Sequence, residues 1–236
     1  MRNFLACEWR KLRSNRLLAA ATLLAVLLPV GLVLQWLAKP SAYVADIGLA
    51  AWLSSSVQGL LLLVDMALGG FVLTQLVQSE YSQRTIINML TAPVARPTFL
   101  AGKLLVWVLW NALAAALTGA ALAVGIYLLF PAEANAAAWQ LSAAQVTQAL
   151  LLNLGVLSPM AAIVIWQRAS FYPSMLYCFF AVLLSSLQYN ALPVLPFMAV
   201  GAVYRGYAVQ AGAISLIIWT IISLTTAFAA FRRQIL

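Results

Sequence analysis

Histidine is absent from this 236-residue sequence, and Asp and Glu together number only five. Without histidine there is no Ser-His-Asp or Cys-His machinery, no H-E-x-x-H zinc site and no histidine proton relay. The two cysteines are Cys7, in a basic N-terminal stretch, and Cys178, inside an apolar run. They are far apart in sequence, so neither a disulfide framework nor a metal motif follows. No G-x-x-x-x-G-K-[ST] occurs, which excludes a P-loop nucleotide site in this chain. Charge of either sign is scarce, at 8% of residues against roughly 25% in an ordinary soluble domain.

What the sequence has in quantity is apolar residues, 65% of the chain, with a mean hydropathy of +0.99. The apolar runs predict an all-α integral membrane protein, a single membrane domain over residues 1–236 with no room for a soluble domain of usual size. Six spans are expected at about 17–37, 52–77, 104–129, 144–166, 171–187 and 212–231. The net charge of +8 comes from cations flanking these runs, which reads as membrane topology and not as nucleic-acid binding. With the N-terminus inside, Lys39 and Arg205 fall on the outer side. The other cations, including Arg84, Arg96, Lys103, Arg168, Arg232 and Arg233, fall on the cytoplasmic side, which places both termini in the cytoplasm.

Residues 2–16 carry Leu5, Trp9 and Leu12 at helical spacing among basic residues. This predicts an amphipathic helix lying in the lipid interface, or alternatively a plain topogenic flank. The second span holds Ser54, Gln58, Asp65, Gly69 and Val72 near one face. An ionised Asp65 at that depth costs about 2.5–3.5 kcal/mol, so it must face protein or water. It is read as part of a transport path or as a packing residue at a helix interface. The third span has its own stripe of Trp107, Asn111, Ala115, Thr118, Ala121 and Gly125, the small and weakly polar type that lets helices approach closely in lipid. Ser158-Pro159 in the fourth span frees a carbonyl that a neighbour must satisfy. Residues 189–207 hold two prolines, three tyrosines and an apolar middle too short to cross, as in a re-entrant segment.

The segment from Glu80 to Lys103 is the longest one poor enough in apolar residues to leave the membrane, and Pro93 and Pro97 are expected to stop helix formation within it. Glu80, Thr85, Leu90, Pro93, Arg96 and Lys103 give E-x4-T-x4-L-x2-P-x2-R-x6-K between the second and third spans. In this the chain resembles the permeases of type 2 ABC transporters, among them the small six-span permeases of bacitracin and lantibiotic self-protection exporters. The hydropathy match covers the whole chain, whereas the motif covers this one loop. Arg84 stands where such permeases commonly have glycine.

The resemblance implies a connecting helix at residues 2–16, a coupling helix at about Ser82 to Leu90 and short re-entrant helices at about Ala191 to Tyr204. It implies that Glu80, Arg84, Thr85, Ile86, Ile87, Leu90 and Arg96 meet a separate cytoplasmic ABC ATPase. That partner would carry the ATP and Mg, with no cofactor in this chain. It also implies a second permease copy or paralogue, contact with membrane lipid, and a place in the bacterial cytoplasmic (inner) membrane. The expected function is export of a hydrophobic or amphipathic molecule such as a peptide antibiotic, lipid or drug-like compound, with Gln58, Asp65 and Asn111 as path or interface residues. Two other readings stand beside it: a proton-coupled secondary transporter using Asp65, and a membrane scaffold that does not transport.

Overall fold

The computed structural model describes residues 15–82, 96–167, 170–186 and 193–233, and every element in them is a helix. The basic segment up to residue 14 lies outside them, and so does most of the expected coupling helix. In chain order the elements are α1 (Arg16–Leu37), α2 (Ser41–Ile47) and α3 (Leu49–Val57), then a π-helical stretch (Gln58–Asp65) that runs without interruption into α4 (Met66–Ser82). They continue with α5 (Arg96–Leu129), α6 (Ala136–Gln167), α7 (Tyr172–Ser186), α8 (Pro196–Arg205) and α9 (Val209–Arg233).

Among the described residues, five helices are long and apolar enough to cross a membrane: Arg16–Leu37, Leu49–Tyr81, Pro97–Leu129, Ala136–Gln167 and Val209–Arg233. The expected fifth span corresponds to α7, whose 15 residues rise only about 22 Å against a hydrocarbon core of about 30 Å. It runs from the turn at Ser170 past Met66, whose carbonyl Cys178 Sγ reaches and whose Sδ Ser185 Oγ approaches, to lie beside the π-helical stretch.

Several boundaries move for identifiable local reasons. Asn15 caps α1, its Oδ1 accepting from Leu17 N at 3.0 Å. The connection expected after Lys39 is helical instead: Pro40 precedes α2, and Gly48, at φ 73°, turns the chain directly into α3. Pro97 does not stop helix formation. It is the second residue of α5, in the first turn, where the missing donor costs nothing. The fourth span begins at Ala136, well before residue 144, because Asn135 Oδ1 accepts from Ala138 N at 3.0 Å and starts the helix in what reads as a loop.

α6 is the central helix, packed against α4, α5, α7 and α9. Pro159 lies inside it, and the freed Gly155 carbonyl is met within the same helix by Ser158 Oγ at 2.8 Å. The same hydroxyl lies 3.2 Å from Thr220 Oγ1 on α9. The outward sides of α1 and α9 are lined by exposed Leu and Ile, among them Leu23, Leu27, Ile217 and Ile221, as lipid-facing helices require.

The two ends of the bundle differ. At one end, Phe99 stacks on Phe231 with ring centroids 5.9 Å apart, bringing Lys103, Arg232 and Arg233 to the same side as the end of α4. At the other, Tyr204 OH donates to the Ser54 carbonyl at 2.7 Å and Lys39 lies over the Tyr43 ring. That end therefore holds Lys39 and Arg205.

Candidate functional site

The first cluster lies where α4 ends and α5 begins, at the two roots of the segment singled out above. Lys103 Nζ is 3.1 Å from Glu80 Oε1, and the pair is almost wholly buried, at 1% and 4% side-chain exposure. The same ammonium donates to the Leu76 carbonyl at 2.8 Å and lies 5.1 Å from the centroid of the Phe99 ring. A cation near the last turn of α4 also suits the negative end of the helix dipole. The first and last residues of the loop pattern are thus bound to each other, fixing the end of α4 to the start of α5.

Two residues before Glu80 the same end is tied to a second connection. Gln78 Nε2 donates to the Ser170 carbonyl in the turn between α6 and α7. Gln167 holds the start of α7, its Oε1 accepting from Ser174 N at 2.9 Å and its Nε2 donating to Ser174 Oγ at 2.8 Å. Of the residues expected to meet an ATPase, Glu80 is therefore inside the bundle, buried to 3% exposure. Arg84, Thr85, Ile86, Ile87 and Leu90 lie outside the described residues. Arg96 opens α5 with its backbone, and its side chain lies outside them too.

The second cluster is the seam between the α3–α4 rod and α5. The two polar stripes read from the sequence face each other along it. Trp107 Nε1 donates to the Gly69 carbonyl at 2.9 Å, and a Cβ added at Gly69 would meet Asn111 Oδ1 at 2.5 Å. Farther along, Thr118 Oγ1 donates to Asp65 Oδ2 at 3.4 Å, and a Cβ at Gly125 would lie 2.6 Å from the Trp52 ring. Glycine is needed at both positions because the opposite helix occupies that volume. Asp65 and Asn111 are buried in this seam, Asn111 also donating from Nδ2 to the Trp107 carbonyl at 2.9 Å. Gln58 is half-buried at the start of the π-helical stretch.

That stretch has a partner the sequence reading missed. Asn153 on α6, 2% exposed, donates from Nδ2 to the Leu61 carbonyl at 2.5 Å, in the middle of the π turns. A π-helix widens the turn and misaligns its carbonyls, and these must be satisfied from within the protein at membrane depth. The signal was an amide isolated in an apolar run, L-L-N-L-G, the same kind of signal that singled out Asp65.

Near the middle of α9 there is a comparable arrangement. The Val194 carbonyl, in irregular backbone before α8, accepts from Trp219 Nε1 at 2.8 Å and from Ser215 Oγ at 3.1 Å. Residues 187–192 lie outside the described residues. Among the described residues no group of three or more Cys, Asp and Glu side chains could hold a metal ion.

A comparison with protein families matches residues 4–185 to a model described as "ABC-2 family transporter protein". No curated protein matches the chain.

Proposed function

Given that the chain belongs to the ABC-2 transporter family, we propose that it is the membrane-spanning, non-catalytic subunit of an ATP-driven exporter. It takes mechanical work from a separate cytoplasmic ABC ATPase that binds ATP and Mg. The observation that carries this reading is the buried Glu80–Lys103 pair at the roots of the intervening segment. A segment anchored in this way transmits a push to two spans together, because α4 and α5 cannot separate there without breaking a buried ion pair.

In this reading residues 2–16 form the interfacial helix, and Ser82 to Leu90 form the coupling helix, with Arg84, Thr85, Ile86, Ile87, Leu90 and Arg96 toward the ATPase. Both termini face the cytoplasm of a bacterial inner membrane. α7 is the short fifth of six spans, and α8 is the re-entrant element, a role supported by the internally satisfied Val194 carbonyl. A second permease, identical or paralogous, completes the path. Hydrophobic or amphipathic cargo, such as a peptide antibiotic or a lipid, suits the apolar character of the spans.

ATP-dependent uptake of a labelled amphipathic peptide or lipid into inside-out proteoliposomes, with the ATPase co-reconstituted, tests the proposal. Uptake that requires both subunits and ATP supports it. Uptake driven by a pH gradient without the ATPase would replace it with the proton-coupled reading, and no uptake of any tested amphiphile with an intact ATPase complex would favour a scaffold.

A further inference from the structure

α6 packs against both α5 and α9, leaving between them an apolar cleft of about 660 Å³, within the usual size range of ligand sites. α6 is its floor, through Leu154 and Gly155, and its walls are Leu105 and Val108 on α5 and Ile217 and Leu224 on α9. Along α9 the lining runs from Leu216 to Phe228, about 18 Å at the helical rise and roughly half the hydrocarbon thickness. The cleft therefore has the depth of one leaflet.

Its few polar atoms are satisfied internally. Thr220 Oγ1 donates to the Leu216 carbonyl at 2.7 Å, and Ser158 Oγ lies 2.8 Å from the Gly155 carbonyl. A sugar or a peptide backbone would find no hydrogen-bonding partners there, whereas a hydrocarbon chain needs none.

The cleft's α9 face points toward charge. Leu224, Phe228 and Arg232 follow one another at i+4, so Arg232 continues the apolar stripe one turn beyond the cleft. Arg232 and Arg233 are both exposed. A basic side chain at the membrane surface above an interhelical apolar cleft favours an acidic headgroup; Arg233, one residue on, lies on the other side of α9.

We infer that the cleft between α5, α6 and α9 binds one acidic phospholipid, with an acyl chain against Leu105, Leu151 and Leu224 and its phosphate at Arg232. The lipid comes from the leaflet on the loop-root side. It closes the seam between α5 and α9 without being cargo, so this site is independent of the transport reaction proposed above.

Native mass spectrometry of the delipidated full-length chain tests this, after mixing with vesicles of phosphatidylglycerol or of phosphatidylcholine with the same chains. One phosphatidylglycerol per chain is expected to survive detergent activation. Its excess over phosphatidylcholine should be about fivefold, the worth of one arginine near the surface. Arg232→Gln should erase that preference while leaving chain-length dependence, and Arg233→Gln should leave it in place. Leu105→Trp with Leu151→Trp, two exposed rim positions whose side chains can lie in lipid, should abolish retention, while Leu27→Trp on α1 should not. Equal retention of the two lipids overturns the inference, as does retention by the cleft-filled variant at unchanged melting temperature. A fall in the dimer fraction on filling the cleft, with lipid retention unchanged, would also overturn it, assigning the cleft to a second copy of the chain.

Discussion

Lys103 and Glu80 set the sharpest expectation for a single side chain. Removing one member of a buried ion pair costs about 3–5 kcal/mol, whereas replacing both by apolar side chains of similar volume is close to neutral. Lys103→Met alone should therefore melt well below wild type in detergent, and Glu80→Met with Lys103→Met should recover most of the difference. Equal losses in the single and double variants would show that the pair is not the dominant interaction at the loop root. Asp65 sets the opposite expectation. Its carboxylate accepts from Thr118 inside the α4–α5 seam, and an amide oxygen can do the same. Asp65→Asn should retain most ATP-driven transport in proteoliposomes, while loss of all transport would return the acid to the path. Asp65 and Asn111 were legible in the sequence as costly polar groups in apolar runs, because intramembrane polarity is rare enough to be seen one residue at a time. That they share a seam was not legible, since it depends on the register of two helices far apart in the chain.

At the scale of the helices, glycine spacing governs how closely they approach. Gly69 and Gly125 sit where a side chain would collide with Asn111 and Trp52. Gly69→Ala should destabilise the protein by about 1–3 kcal/mol through overpacking, and Asn111→Ala added to it should restore part of that, as thermal unfolding in detergent would show. The π-helical stretch gives a second expectation. Asn153→Leu withdraws the donor from the Leu61 carbonyl and should cost about 1 kcal/mol in the same measurement, typical of an interhelical hydrogen bond in a membrane protein. That cost should be the same in a Ser215→Ala background, because Ser215 bonds the Val194 carbonyl and shares no partner with the π turns. Helix existence was readable from apolar run length, but helix ends were not. The Asn135 cap and the first-turn Pro97 each act through one local bond or its absence, which hydropathy does not register. The π turns were equally hidden, because Q-G-L-L-L-L-V-D is an ordinary apolar run until Asn153 is placed beside it.

Over the whole molecule, the fold and the family rest on the pattern of apolar runs and on one polar segment between two of them. Length and hydropathy made the membrane class plain, and the distribution of cations found its counterpart in the bundle, with Lys103, Arg232 and Arg233 at one end and Lys39 and Arg205 at the other. The shortness of α7 was less legible, because an apolar run records composition and not where the backbone breaks. The central claim is that this chain is driven by a separate ATPase through the segment that Glu80 and Lys103 anchor. Co-purification of the detergent-solubilised permease with a co-expressed ABC ATPase from the same genome, for wild type and for Arg84→Glu, tests that claim most directly. The account predicts that the two proteins co-elute and that Arg84→Glu weakens the complex while the permease itself melts as wild type. Absence of any complex under mild conditions, or a complex that Arg84→Glu leaves unchanged, would contradict it.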